Sequence, residues 1–237
     1  MTDDRSSSDE ATRIHDAYAR QRPRWEQTQY RGWMPGTLFM AQERDRVMLD
    51  LLRRHGAFPL ADKRIVDVGC GAGKTLLRFL QYGARPENLF GIDLLEDEIN
   101  TARELAPHLR FEVGDARQLP FEDCTMDLVL AFTLFSAIQS SSIREGVARE
   151  MLRVLRRSGA VLVHDFWTTG RVNPDNRPLR RRELERLFPG CHVQARRVTL
   201  APPLARRLAP RFWFMCELLV RVPFLRTHWL ALITREA

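Results

Sequence analysis

Arg64-Ile65-Val66-Asp67-Val68-Gly69-Cys70-Gly71-Ala72-Gly73-Lys74-Thr75 is the stretch that decides the fold. Ile65, Val66 and Val68 make a short β-branched run, the texture of a strand buried on both faces. Gly69, Gly71 and Gly73 then let the backbone turn sharply, and a helical pattern follows from Lys74 to Tyr82. A strand, a glycine turn and a helix are the first unit of a parallel sheet, whose strands need a crossover connection.

The same rhythm continues downstream. Leu89 to Asp93 reads as a second strand and Asp97 to Leu105 as a second helix. Leu109 to Val113 is a third strand, Met126 to Phe132 a fourth, Ile143 to Leu155 a helix, and Ala160 to Asp165 a fifth strand. Alternation of this kind predicts an α/β fold with a doubly wound sheet. Ligands in such sheets bind beyond the carboxyl ends of the strands. Upstream, Phe39 to His55 is an amphipathic helix that Gly56 is placed to end. Residues 11–31 read as a helix and a loop, and the polar, acidic residues 1–10 as a frayed tail with no secretory signal.

The chain has 237 residues, enough for one α/β domain with an appended segment. Its division is read as a tail and helical lid over 1–56 and a ligand-binding domain over 57–237. Cys70, Cys124, Cys191 and Cys216 form no CxxC pair, which argues against a zinc ribbon or a disulfide framework. They are read as small buried side chains. Phe212 to Val220, interrupted by Glu217, falls short of the ~20 residues of a spanning helix. A cytoplasmic location is expected. The net charge of +7 is uneven: from Arg171 onward fourteen Arg, no Lys and five acids give +9. Such a region suits an anionic substrate, a membrane surface or nucleic acid, or is simply solvated.

Three strand ends carry candidate ligand groups. Asp67 and the Gly69, Cys70, Gly71, Gly73 loop sit before a helix N-terminus. Asp93, twenty residues beyond Gly73 and followed by Leu94, is placed to accept from both hydroxyls of a ribose. Asp115 and Ala116 close the third strand, where a side-chain oxygen is placed to accept from an adenine amino group. Together they specify a nucleoside. A phosphate-binding P-loop is excluded by register, because Val68 stands where Gly73-Lys74-Thr75 would require the first glycine. A dinucleotide fingerprint needs its third glycine where Lys74 stands.

With these motifs assembled, the segment from about Arg64 to Phe166 resembles the class I, Rossmann-like S-adenosylmethionine-dependent methyltransferases, in their small-molecule branch. The resemblance adds Leu119-Pro120-Phe121, the segment to Phe132, and Glu150 to Gly159. It implies a seven-stranded, mostly parallel sheet ending in an antiparallel hairpin, here Cys191 to Thr199 and His228 to Thr234. It implies S-adenosylmethionine as donor and S-adenosylhomocysteine as product. Asp67 and Gly69 to Gly73 would surround the donor's methionine part, Asp93 its ribose, and Asp115 and Ala116 its adenine. Phe132 and Leu134 would line the passage to the acceptor. The family's Pro-Gly-Gly before the fifth strand is Arg157-Ser158-Gly159-Ala160 here, expected to alter only the turn.

Methyl transfer from a sulfonium mainly requires alignment, with a general base where the acceptor is a hydroxyl. His164 and Asp165, closing the fifth strand, rank first for that role; an interior histidine and a helix-capping acid are the bland readings. Tyr18, Tyr30 and Trp33 are lid candidates or ordinary packing aromatics. No metal-ligand cluster is visible. The Asn/Asp-Pro-Pro-aromatic motif of exocyclic-amine enzymes is absent after the fourth strand, which reads Phe132-Thr133-Leu134-Phe135, and Asn173-Pro174 falls too late.

A helical cap is expected at about 203–222, before the last strand. It either packs on its own domain, rests on a membrane surface, or forms a homodimer contact. Thr199 to Pro203 with Arg226-Thr227-His228 resembles bacterial methyltransferases of glycan and natural-product pathways. That favours O-methylation of a sugar or another small polar metabolite. The alternatives are an RNA or protein methyltransferase using the Arg-rich third, and an inactive protein that binds the donor.

Overall fold

The computed structural model describes residues 2–25, 31–168 and 175–236, with side chains described within the first helix for residues 9–21. Seven strands form one sheet in the order β3-β2-β1-β4-β5-β7-β6. They are β1 (Ile65–Val68), β2 (Leu89–Asp93), β3 (Arg110–Val113), β4 (Met126–Phe132), β5 (Leu155–Phe166), β6 (Cys191–Leu200) and β7 (Arg226–Arg235). The β1–β2, β1–β4, β2–β3 and β4–β5 pairs are parallel. β7 runs antiparallel to both β5 and β6. The strand order reverses between β1 and β4, so the crevice at their carboxyl ends is the predicted ligand position.

One face of the sheet carries α2 (Pro35–Arg54), α3 (Lys74–Gln81) and α4 (Glu96–Leu105), packed through Met48, Leu51, Leu52, Leu76, Phe79 and Ile99. Each such fully buried side chain contributes about 1.5–3 kcal/mol. Gly56 (φ 76°) closes α2 in the left-handed conformation, and Ala57 N donates to the Leu52 carbonyl at 3.0 Å. The other face carries α6 (Ser141–Val154) and α7 (Arg181–Leu187) through Val147, Ala148, Met151, Leu184 and Leu187. Ser140 caps α6 by accepting from Ile143 N at 3.4 Å.

Two expectations change. Residues 2–10 are not a frayed tail but the start of α1 (Thr2–Trp25). Glu10 within it is buried, because it accepts from Arg13 of its own helix and from Gln139 N. The segment before the fifth strand is not a turn either. α6 stops at Val154 and β5 begins at once with Leu155, with a register irregularity against Met126 and Leu128. A Cβ on Gly159 would lie 2.7 Å from the Asp127 carbonyl oxygen, so a side chain there would collide with β4.

The cap lies between β6 and β7 as two short helices, α8 (Pro202–Leu208) and α9 (Trp213–Leu219). Phe39, Leu200, Ala205, Cys216 and Val220 form its small core. Of the cysteines, Cys70 and Cys216 are buried, whereas Cys124 is exposed and Cys191 half-buried; all four are free thiols. Among the described residues no helix is long and apolar enough to cross a membrane.

Candidate functional site

The glycine loop places backbone where side chains would otherwise stand. Gly69 has φ 72°, and a Cβ on it would come within 2.7 Å of Leu134 Cδ1. Gly69 N and Cys70 N both donate to the Ile92 carbonyl, at 2.8 and 3.1 Å, which ties the loop to the end of β2. Cys70 is buried under the loop; burial first, then the charges of Asp67 and Asp93, push its thiol up, so it is no nucleophile.

Asp93 receives Gly71 N on Oδ2 at 2.7 Å and Leu95 N on Oδ1 at 2.9 Å. Those bonds fix the carboxylate and leave each oxygen a further lone pair for a diol. Burial raises its pKa, and the two N–H donors oppose the rise. Asp67 differs. It is 1% exposed, and neither oxygen has a hydrogen-bond partner. Burial and then the charge of Asp93 push its pKa up to about 8, which the nearby Thr75 hydroxyl only softens. A buried, unsatisfied carboxyl beside a second carboxyl costs stability unless a cationic ligand group compensates it. The residues present therefore fit a cationic nucleoside such as S-adenosylmethionine.

A cleft of about 760 Å³, including its open mouth, runs from Gly69 past Asp93, Leu94, Asp115, Ala116 and Leu134. These six predicted residues are thereby brought together. Asp115 carries a bond from Arg117 N at 2.8 Å and a side-chain pair with Arg117 at 2.6 Å. Burial alone would raise its pKa, but the Arg117 contacts outweigh that and hold it down. Asp67, Cys70, Gly71 and Gly73 are not among the residues that line the cleft. Phe132 points to the other face, with its ring 5.4 Å from His164 and the Arg44 guanidinium 5.5 Å above it.

The lid is α1. Ala11, Ile14 and Tyr18 line the cleft, and Arg13 donates to the Ala137 carbonyl, so α1 is fastened to the end of α5 (Leu134–Ala137). Burial, then the charges of Asp93, Glu98 and Asp165, keep the Tyr18 phenol protonated. Trp33 is 67% exposed and lines neither this cleft nor its neighbour among the described residues; Tyr30 and Asn173-Pro174 lie outside the described residues. Tyr18 and Thr133 also line a second cleft, with Arg13, Gln21, Phe166, Asp175 and Asn176. Thr133 has φ 59°, a left-handed conformation uncommon for a β-branched residue. Glu10, Arg13, Arg117 and Thr133 escaped the sequence reading. The Glu10/Arg13 spacing, one helical turn, was the only local signal for the first two.

His164 and Asp165 line neither cleft. Strand alternation sends them to opposite faces. His164 stacks on His228 (4.7 Å between centroids, 2° between planes), and its Nε2 lies 3.3 Å from Thr199 Oγ1. Burial, then His228 and Arg44, hold its pKa well below the usual value. Asp165 accepts from Ser136 N at 3.0 Å and Phe166 N at 2.8 Å; burial pushes its pKa to about 6. Among the described residues no cluster could hold a metal.

A family model for a methyltransferase domain matches residues 65–159. The uncharacterized methyltransferase YcgJ of Bacillus subtilis is 32% identical over 112 residues, 45% of this chain and 42% of that protein. The 27-O-demethylrifamycin SV methyltransferase of Amycolatopsis mediterranei is 31% identical over 121 residues, 48% of this chain and 43% of that one. The chain thus spans less than half the length of these curated relatives. In structure, geranyl diphosphate C-methyltransferase from Streptomyces coelicolor, solved with S-adenosyl-L-homocysteine, superposes with a TM-score of 0.62 at 16% identity. That match covers 89% of this chain and 87% of the other. Residues 65–159 are thus similar to the methyltransferase-domain family, and the chain shares the Rossmann-like fold of the solved methyltransferases.

Proposed function

We propose that the protein transfers a methyl group from S-adenosylmethionine to a hydroxyl of a small polar metabolite, a sugar or a natural product among them. The observation that carries the donor half is Asp67, a buried carboxyl without a partner, beside Asp93, which keeps lone pairs for a ribose. The donor supplies an activated methyl on sulfur. The residues of this chain align and enclose it: Asp67 meets its cationic end, Asp93 the ribose, Asp115 and Ala116 the adenine, and α1 shuts out water.

The second cleft is the acceptor pocket in this reading. It adjoins the first through Tyr18 and Thr133, and its Arg13, Gln21, Asp175 and Asn176 suit a ligand rich in hydroxyls. We assign Asp165 a positioning role, holding Ser136 N beneath that junction, and His164 a packing role on the other face. The rifamycin relative, named as an O-demethylated-substrate methyltransferase, favours oxygen as the acceptor atom. Some arginines of the C-terminal third are held internally, Arg177 by Glu183, Arg196 by Asp50 and Arg226 by two carbonyls, which leaves fewer of them for an RNA platform.

The test is a screen of hydroxylated metabolite pools with methyl-labelled donor, followed by Gln21→Ala and Asp175→Ala. Label on a small product, with acceptor KM raised about tenfold and donor Kd unchanged in the variants, is the expected result. Label appearing only on RNA or protein would refute the acceptor assignment.

A further inference from the structure

Five large apolar side chains stand exposed within residues 212–224 of the cap: Phe212 (54%), Phe214 (72%), Met215 (44%), Leu218 (46%) and Phe224 (74%). The other six exposed large apolar residues described are scattered from Trp33 to Val113. The cap is therefore where this molecule concentrates unburied apolar surface, and such concentrations mark interaction sites. Its inner face is already used. Cys216 and Val220 sit in the cap core, and Trp213 packs edge-on against Phe39 at 5.2 Å. α9 is thus apolar on both sides, and its single charged residue, Glu217, is paired with Arg46 at 3.4 Å. Packing on its own domain accounts for only one of those sides.

Charge narrows the partner. Arg207, Arg211 and Arg221 flank the aromatic residues, are exposed, and make no side-chain hydrogen bond or ion pair among the described residues. Several other arginines in this third of the chain are held, Arg181 by Glu185, Arg196 by Asp50, and Arg226 and Arg235 by carbonyls. A second copy of the chain meeting this face symmetrically would set these cations against themselves. Aromatic side chains ringed by arginines suit the boundary between phospholipid headgroups and acyl chains, where the rings enter and the cations meet phosphate.

We propose that the α8–α9 cap docks on an anionic phospholipid surface, with Phe214 and Phe224 entering the interface and Arg207, Arg211 and Arg221 meeting the headgroups. The contact is peripheral, and it stands independently of the proposed methyl transfer.

Flotation of the whole chain with vesicles tests this, using phosphatidylcholine alone and equal parts phosphatidylcholine and phosphatidylglycerol. Binding is expected to the mixed vesicles only, and to weaken with added salt. Phe214→Ser with Phe224→Ser should reduce it about tenfold or more. Arg207→Gln, Arg211→Gln and Arg221→Gln together should remove the preference for anionic lipid. Unchanged donor affinity in these variants shows that they fold, since none of the five residues belongs to the donor cleft. Absence of binding to the mixed vesicles, or equal binding by wild type and variants, would overturn the proposal. So would a concentration-dependent dimer that Phe214→Ser abolishes, because the surface would then belong to a second copy.

Discussion

Two groups of buried polar side chains lie at the carboxyl edge of the same sheet, one at β1–β2 and one at β5–β7. In the first, Asp67 has no partner and Asp93 stands close enough to raise its pKa. In the second, Glu43 accepts from Thr199 N at 2.7 Å, His164 reaches Thr199 Oγ1, and His228 Nδ1 lies 2.9 Å from Thr227 Oγ1. These side chains of the second group find partners within the chain and contribute to packing, although Trp229 Nε1 beside them on β7 has none. The first is left incomplete, as a site awaiting a ligand is. Burial of a polar group therefore says little about function until its partners are counted.

The largest effect separating the two groups should come from Asp67→Asn. Donor affinity is expected to fall about a hundredfold, roughly 2.8 kcal/mol, by calorimetric titration. The same variant should make the ligand-free protein more stable at pH 8. The sign follows from linkage: the folded carboxyl holds its proton up to about pH 8, while the unfolded one, at 3.8, has lost it. Wild type therefore loses this contribution as pH rises from ~4 to ~8, and melting temperatures across that window should flatten in the variant. Unchanged affinity would move Asp67 into the satisfied, structural class.

Next comes the cap, which should be separable from the donor cleft. A Cβ on Gly36 of α2 would lie 2.5 Å from Arg206 Cα, backbone that cannot swing aside. Gly36→Ala should cost about 2 kcal/mol in denaturant unfolding and leave donor affinity within about twofold. A large loss of donor binding would mean that the two regions are coupled.

The smallest effect at any one pH concerns the histidines. Burial, with Arg44 adding, lowers the His228 pKa to about 3, and His164 is lowered too. Their folded forms stay neutral while the unfolded ones protonate, so stability is present above about pH 6.5 and lost as pH falls. That is opposite in sign to Asp67. His164→Leu with His228→Leu should lessen the acid loss by up to ~1.4 kcal/mol per pH unit for each histidine, with donor affinity unaffected. An unaltered acid limb would show that other groups govern it.

Much of this was legible in the sequence. Strand runs such as Met126 to Phe132, the glycine loop and the spacing to Asp93 are local patterns, and local patterns survive folding. Three features were not legible. Residues 2–10 looked too polar for structure, because the partners of Glu10 and Arg13 lie at Gln139 and Ala137, far along the chain. Asp115 reads as a free acceptor, because spacing alone does not show that the Arg117 side chain folds back onto it. His164 and Asp165 looked exposed to the cleft, because a strand end says nothing of which neighbours cover it; β7 and Ser136 cover them here. Acceptor chemistry is set by such long-range contacts, and so reads last.

The most direct test of the donor site is calorimetric titration of S-adenosylmethionine and S-adenosylhomocysteine, beside NADH and ATP, into wild type and Asp93→Ala. Micromolar binding of the first two alone, weakened at least about tenfold (about 1.4 kcal/mol) by the substitution, is the predicted result. Binding of NADH or ATP with neither donor nor product bound would contradict the account.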